Sequence, residues 1–120
     1  MDVFLAEPRG FCAGVIRAVS IVRNTLAQYG APVYVRHEIV HNKHVIAELE
    51  KAGAVFIEDL NEIQDLNRPV IFSAHGVPLS VTEEAKRRGL TVIDATCPLV
   101  SRVHQQIRKY ADRKLPVIVI

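Results

Sequence analysis

The chain has 120 residues, of which 49% are hydrophobic, and this is enough for one small domain with a buried core. Its 15 Lys and Arg against 13 Asp and Glu leave a net charge of +2, and the basic residues are scattered, which argues against a nucleic-acid-binding surface. The longest apolar runs are far too short to span a bilayer and the first residues carry no basic leader, so we expect a soluble, cytoplasmic protein without nucleic-acid or membrane partners.

Short runs rich in β-branched residues recur along the chain and predict six strands. They cover residues 2–6 (DVFLA), 32–36 (PVYVR), 54–57 (AVFI), 69–73 (PVIFS), 91–94 (TVID) and 116–120 (PVIVI). Amphipathic helical patterns separate most of these runs. The alternation predicts an α/β fold, with a mostly parallel sheet flanked by helices on both faces.

Three of the predicted helices end at a glycine, a residue well suited to the left-handed conformation at a helix end. The first lies between the first two strands and ends at Gly30. The second covers residues 42–52 and ends at Gly53. The third is expected to begin at Ser80, whose hydroxyl can cap the helix, and to end at Gly89.

The fourth predicted helix begins at Pro98, because proline is well tolerated at the first helical position. Apolar residues recur along it at helical spacing. They are expected to form a buried stripe, consisting of Val100, Val103, Ile107 and Tyr110.

Four segments rich in chemically active side chains follow predicted strands. They read RGFCAG, HEIVHN, SAHGVP and ATCP. Because the carboxyl ends of parallel strands share one edge of the sheet, ligands gather there. We therefore expect the active side chains of these segments to lie along one edge: Cys12, His41, His75 and Cys97.

Both cysteines precede a predicted helix. Cys12 lies between Gly10 and Gly14, and Cys97 directly precedes Pro98. Backbone N–H groups and the helix dipole at such a position favour a thiolate or an anionic cluster. A purely structural role in a tight turn is the alternative interpretation for each cysteine.

The five histidines divide into two groups. His41 and His75 follow strand ends among polar or small residues, which suits phosphate binding, metal ligation or proton transfer. An ordinary hydrogen-bonded surface histidine is the alternative for each. His37 and His44 are expected to contact neighbouring backbone or solvent, and His104 is expected to be exposed in the middle of a helix.

Three site chemistries are compatible with the four edge residues. Zinc could be held by the two cysteines and two histidines in a noncatalytic binding module. A redox protein could form and break a disulfide between Cys12 and Cys97. An iron–sulfur cluster could take both thiolates together with at least one more ligand. Spacing alone leaves these alternatives open, and no dinucleotide or Walker fingerprint is present in the sequence.

Four motifs in register, PRGFCAGV, VYVRHEIVHN, IFSAHGV and DATCPLV, closely resemble the N-terminal part of the LytB/IspH family of 4-hydroxy-3-methylbut-2-enyl diphosphate reductases. The resemblance extends from about Val3 to the end of the chain. It implies an iron–sulfur oxidoreductase that removes an allylic hydroxyl reductively, producing isopentenyl and dimethylallyl diphosphate in the non-mevalonate isoprenoid pathway.

The same resemblance implies roles for individual residues. Cys12 and Cys97 match two of the three cysteines that hold a 4Fe-4S cluster, and His41 and His75 match histidines of the substrate diphosphate pocket. The third cysteine and the proton donor are expected beyond Ile120, so no catalytic residue is expected within this chain. The implied partners are the allylic diphosphate and an electron donor such as ferredoxin or flavodoxin.

Family members are longer and contain three similar α/β units around a central cluster. The resemblance therefore implies that residues 1–97 form an N-terminal unit with two cluster cysteines, and that residues 98–120 begin a second unit. It also implies that the first strand pairs with a later unit.

Overall fold

The computed structural model describes residues 1–5 and 10–118. It contains four strands, β1 Val33–Arg36, β2 Ala54–Ile57, β3 Val70–Phe72 and β4 Val92–Asp94. Its four α-helices are α1 Ala13–Tyr29, α2 Lys43–Ala52, α3 Leu79–Arg87 and α4 Pro98–Asp112. A short 3-10 helix, Leu60–Glu62, lies between β2 and β3.

The four strands form one parallel sheet in the order β2-β1-β3-β4. β1 is central and pairs Tyr34 with Val55 on one side and with Val70 on the other. This arrangement confirms the predicted α/β class and the central four of the six predicted strands.

Helices cover both faces of the sheet, because alternate strand residues point to opposite sides. Val35 and Ile71 belong to a core shared with α1 and α2. Tyr34 and Phe72 belong to a second core that includes the 3-10 helix and Ala85 of α3. Burial of each large apolar side chain stabilises the fold by about 1.5–3 kcal/mol, and the two cores pack on the two faces of the sheet.

The predicted ends of α1 and α2 are confirmed. The Asn42 side chain accepts hydrogen bonds from the N–H groups of His44 and Val45, which caps α2. Gly53 ends α2 with φ of 111°, and Gly30 ends α1 with φ of 72°.

The start of α3 differs from its prediction. The helix begins at Leu79 after Pro78, and among the described residues no side chain caps it. The N–H groups of Val81 and Thr82 donate instead to the carbonyl of Pro78. Because the proline carbonyl closes the first turn, the helix starts before Ser80 and does not use the hydroxyl of that residue as its cap.

The two outer predicted strands are not formed in the described residues. Residues 2–5 carry no strand, and Val3, Phe4 and Leu5 are exposed. Residues 116–118 also carry none, while residue 6 and residues 119–120 lie outside the described residues. Both segments have a composition that favours strands, but a strand forms only when it pairs with the edge of another strand, and neither segment has such a partner among the described residues.

The prediction of a buried stripe on α4 is wrong. All 15 residues of the helix are described, and none is buried. Val103 and Tyr110 are 45% and 44% exposed. The side of α4 that faces the sheet instead carries Ser101, His104 and Arg108, which line a cleft with Phe72 of β3. Of the predicted stripe, Val103 and Tyr110 therefore face solvent, whereas Ile107 lines a cleft together with His75 and His104.

Within residues 1–5 and 10–118, none of the helices has the combination of length and apolar content needed to cross a bilayer.

Candidate functional site

The carboxyl edge of the sheet has a crevice between β1 and β3. The chain leaves β1 through α2 on one face and leaves β3 through α3 on the other face. Neighbouring strands whose connections diverge in this way form a topological switch point, where ligands of parallel α/β folds bind. The segments that follow these two strands carry His41 and His75.

The rings of His41 and His75 stack across this crevice. Their centroids are 5.4 Å apart, and the ring planes differ by 25°. Both residues are exposed, and the His41 side chain retains 81% of its accessible surface. Nδ1 of His41 lies 3.7 Å from a carboxylate oxygen of Glu38. Two predicted site residues therefore lie together, with imidazole edges open to an incoming ligand.

Buried neighbours anchor the segments that carry these rings. Ile39 and Val40 are buried in the core just before His41. On the other side, the N–H of Gly76 donates to the carbonyl of Ser73 at 3.1 Å, which turns the chain around His75. Gly76 has φ of 81°, a left-handed conformation that glycine adopts without strain.

Cys12 and Cys97 occupy equivalent positions at the starts of two helices. Each is the N-cap residue, of α1 and α4 respectively, with extended backbone angles. Their carbonyls accept the first helical hydrogen bonds, from Ile16 and Ser101. No side chain among the described residues caps either helix, and both thiols are free.

The two sulfurs converge at Gly14. A Cβ at this glycine would lie 2.8 Å from Sγ of Cys97 and 3.9 Å from Sγ of Cys12. The sulfurs are therefore no farther apart than the sum of those two distances. Any larger residue at position 14 would occupy the space between the thiols, so the glycine keeps that space open.

Hydrogen bonds hold the second thiol in this position. The N–H of Cys97 donates to the carbonyl of Ala74 at 3.0 Å. Arg17 of α1 donates through Nη1 to the carbonyl of Thr96 at 3.2 Å. The N–H of Thr96 donates to a carboxylate oxygen of Asp94 at 2.8 Å. These bonds connect the start of α4 to both α1 and the end of β3.

The geometry argues against one of the three chemistries compatible with the sequence, the zinc site. No group of three or more His, Cys, Asp or Glu side chains in the described part of the chain is arranged to hold a metal ion. The four edge residues form one thiol pair and one imidazole pair, which does not fit a four-ligand zinc site. Two soft thiolate ligands beside a space cleared by glycine fit an iron–sulfur cluster, provided that further ligands come from elsewhere.

The position of His104 differs from its prediction. It is half-buried rather than exposed, and it lines a cleft of about 430 Å³ together with His75. The sequence spacing could have predicted this position, because Cys97 and His104 are seven residues apart and therefore lie on the same side of α4.

His37 has a defined partner. Its Nδ1 lies 2.6 Å from a carboxylate oxygen of Glu58, and its N–H donates to the carbonyl of Ile57. The side chain is therefore directed toward the end of β2 rather than toward the histidine pair.

The fold and the site define a class of protein: a parallel α/β unit that presents two free thiols and an imidazole pair at the carboxyl edge of its sheet. The family model described as LytB protein matches residues 3–120. The chain belongs to the LytB family.

Individual relatives agree with this membership. A 4-hydroxy-3-methylbut-2-enyl diphosphate reductase from Tolumonas auensis is 58% identical over 120 residues, which is 100% of this chain and 38% of the relative. The solved structure of E-1-hydroxy-2-methyl-but-2-enyl-4-diphosphate reductase from Plasmodium falciparum superposes with a TM-score of 0.85 and 48% identity, over 89% of this chain and 33% of that one.

A second solved structure, of (E)-4-hydroxy-3-methyl-but-2-enyl diphosphate reductase, the terminal enzyme of the non-mevalonate pathway, has a TM-score of 0.75 and 34% identity. The match covers 92% of this chain and 39% of that chain. The chain thus spans well under half the length of the relatives that it matches.

Proposed function

We propose that this chain is the N-terminal part of a 4-hydroxy-3-methylbut-2-enyl diphosphate reductase, an iron–sulfur oxidoreductase of isoprenoid biosynthesis. The observation that carries the proposal is the convergence of Cys12 and Cys97 over Gly14, at the same sheet edge as the stacked histidines. The names of the relatives supply the substrate: an allylic diphosphate that carries a hydroxyl group.

In this proposal Cys12 and Cys97 are two thiolate ligands of a 4Fe-4S cluster, and a third cysteine comes from outside this chain. When bound, the cluster supplies electrons and a Lewis-acidic iron to the reaction. The residues of this chain hold it from two helix starts, where backbone N–H groups and the helix dipoles favour negative charge. Gly14 leaves room beside both sulfurs.

His41 and His75 bind the diphosphate group of the substrate. Imidazole N–H groups donate hydrogen bonds to phosphoryl oxygens, and a protonated ring adds a favourable charge. The exposure of both rings supports this role, because an incoming anion can reach them without displacing protein. Binding at the switch point orients the substrate on the edge that also carries the thiols.

The overall reaction consumes two electrons and two protons for each substrate molecule. The C–O bond of the allylic alcohol breaks, its oxygen leaves as water, and a C–H bond forms to give isopentenyl or dimethylallyl diphosphate. The electrons come from an external carrier such as ferredoxin or flavodoxin. The proton donor is assigned to a residue outside this chain.

The proposed boundaries are an N-terminal α/β unit over residues 1–97 and the start of a second unit over residues 98–120. The exposure of Val103 and Tyr110 on α4 supports this division, because the helix has no buried residue in this chain. An apolar helix face of this kind normally packs against another layer.

The decisive experiment measures cluster content in the full-length protein that carries this segment. Cys12→Ser and Cys97→Ser, purified and reconstituted without oxygen, are expected to lose most of their iron, sulfide and visible absorbance. Ser20→Ala, on the exposed side of α1, is the matched control and should retain them. Wild-type levels of iron and sulfide in both cysteine variants would contradict the proposal.

The proximity of the two thiols also favours a second candidate, a thiol–disulfide redox protein. That function requires a reversible Cys12–Cys97 bond, visible as a loss of two hydrogens by mass spectrometry, in a protein that takes up no iron.

We expect the isolated 120-residue chain to be inactive, since two thiolates do not hold a stable cluster with an open iron. Robust substrate turnover by this fragment alone would refute that expectation.

A further inference from the structure

His104 of α4 contacts the loop that carries His75. A Cβ on Gly76 would lie 3.1 Å from Cε1 and 3.6 Å from Nδ1 of His104. The imidazole of His104 therefore lies against the backbone of Gly76, next to the stacked ring of His75. Thr96 lies on the same side, with its methyl group 3.5 Å from that Cβ position.

This contact limits where the His75 loop can move. The turn at Gly76 has a left-handed backbone and one hydrogen bond, from its N–H to Ser73. His75 itself is exposed, so no burial of its own ring fixes its direction. The ring of His104 closes one side of the cleft of about 430 Å³ that both histidines line. It is thus a packing surface against which the loop rests.

The same helix carries the second thiol. Cys97 begins α4, and His104 follows seven residues later, two turns along the same side and about 10 Å along the axis. The hydrogen bond from Cys97 to Ala74 connects the start of the helix to the residue before His75. The helix consequently meets the His75 loop at two points, one on each side of that histidine.

We propose that His104 is a positioning residue, which packs on Gly76 and so sets the location of the His75 ring relative to the Cys97 thiol. The inference rests on the proposed function, because the location of the His75 ring affects substrate binding only if His75 binds the diphosphate. In metal sites, the neighbouring groups that orient a ligating side chain typically change affinity or activity by about 10–100-fold when mutated, and we expect an effect of similar size for an anion-binding histidine. His104 has the geometry for such an effect.

The test uses two substitutions at His104 in the full-length protein. His104→Ala removes the packing surface, whereas His104→Phe keeps a flat ring and removes both nitrogens. Binding of inorganic diphosphate is measured by titration calorimetry. Anaerobic assays provide KM and kcat for the substrate. We expect His104→Ala to weaken diphosphate binding by about tenfold or more and to raise KM more than it lowers kcat. His104→Phe should retain most of the affinity.

Two controls separate positioning from general damage. Gln106→Ala changes an exposed residue on the same helix and should alter neither affinity nor KM. Iron and sulfide contents should stay at the wild-type level in every His104 variant, since the thiols remain in place. Histidine ring NMR signals of the His41–His75 pair, assigned with His75→Ala, should shift in His104→Ala but not in His104→Phe or Gln106→Ala.

A double-mutant cycle isolates the contact itself. Gly76→Ala adds backbone strain in any background, but it adds a clash with the ring only when His104 is present. The loss of diphosphate affinity caused by Gly76→Ala should therefore be smaller in His104→Ala than in the wild type. Equal losses in both backgrounds would show that the contact has no energetic role.

The remaining outcomes decide the inference clearly. Equal losses in His104→Ala and His104→Phe would mean that the imidazole contacts the ligand directly, and would overturn positioning. Unchanged ring signals and unchanged affinity in His104→Ala would overturn it as well. A wild-type protein without iron or sulfide would instead reject the proposed function, while the ring signals would still report whether His104 holds His75.

Discussion

The backbone N–H of Cys97 donates a 3.0 Å hydrogen bond to the carbonyl of Ala74, the residue that directly precedes His75. A thiol and an imidazole from different segments are therefore connected through one backbone contact. Because backbone atoms move less freely than side chains, this hydrogen bond limits how far Cys97 and His75 can move relative to each other. The same edge also brings Cys12 beside Cys97.

Gly14→Ala should reduce cluster content in the full-length protein. A methyl group at this position would lie 2.8 Å from Sγ of Cys97, closer than real contacts allow, so a thiol must move. Helix α1 should not suffer, since alanine favours a helix over glycine by about 1 kcal/mol. Circular dichroism and iron analysis measure the two effects separately.

Gly89→Ala serves as the control for this experiment. It introduces strain at φ of 69° in open space and should lower stability without removing iron. Full cluster content in Gly14→Ala would show that the space between the thiols is not used.

His41→Ala and His75→Ala should weaken binding of the diphosphate substrate while leaving iron content unchanged. A hydrogen bond to a charged group contributes about 1.5–3 kcal/mol, which corresponds to roughly a tenfold to hundredfold loss of affinity. His44→Ala, an exposed histidine at the start of α2, should bind normally. An affinity equal to that of the wild type in both test variants would remove the stacked pair from the substrate pocket.

Arg17→Met should accelerate cluster loss. This arginine donates to the carbonyl of Thr96, directly before Cys97, so its removal loosens the connection between the two thiol-bearing segments. Initial iron content should be close to wild type, but release to a chelator should be several times faster. Arg23→Met breaks only an exposed ion pair with Glu48 and should release iron at the wild-type rate. Identical release rates in the two variants would argue against the connection.

Val103→Glu should reduce self-association of the isolated 120-residue chain. Val103 and Tyr110 of α4 are exposed in this chain, and exposed apolar patches promote association. Light scattering after size-exclusion chromatography measures the effect. Gln28→Glu adds the same charge to the exposed side of α1 and should leave association unchanged. Equal self-association of the two variants would show that the chains associate through a surface other than α4.

Local sequence signals predicted the central part of the fold well. Gly53 ends α2 as predicted, because the glycine signal acts within a few residues, and the predicted start at residue 42 differs by one residue from the observed start at Lys43. The β-branched runs also sufficed to predict strands β1 and β3, since these strands lie in the middle of the sheet and are buried on both faces.

Prediction failed where a segment needs a remote partner. The β-favouring residues 2–5 remain unpaired in the described chain, because composition makes a strand possible but a neighbouring edge makes it form. For α4, apolar residues do recur at helical spacing, but none of them is buried. The direction in which the stripe points depends on how the helix is attached to the sheet, and periodicity does not contain that information.

Local sequence motifs are sufficient to place two thiols and two imidazoles at strand ends and helix starts. How these four groups pair follows from contacts between segments that are distant along the chain. The strand order β2-β1-β3-β4 makes the segments after β1 and β3 neighbours, which stacks His41 on His75. The meeting of Cys12 and Cys97 over Gly14 likewise depends on contacts between distant segments, such as the bonds from Cys97 to Ala74 and from Arg17 to Thr96, which no local pattern encodes.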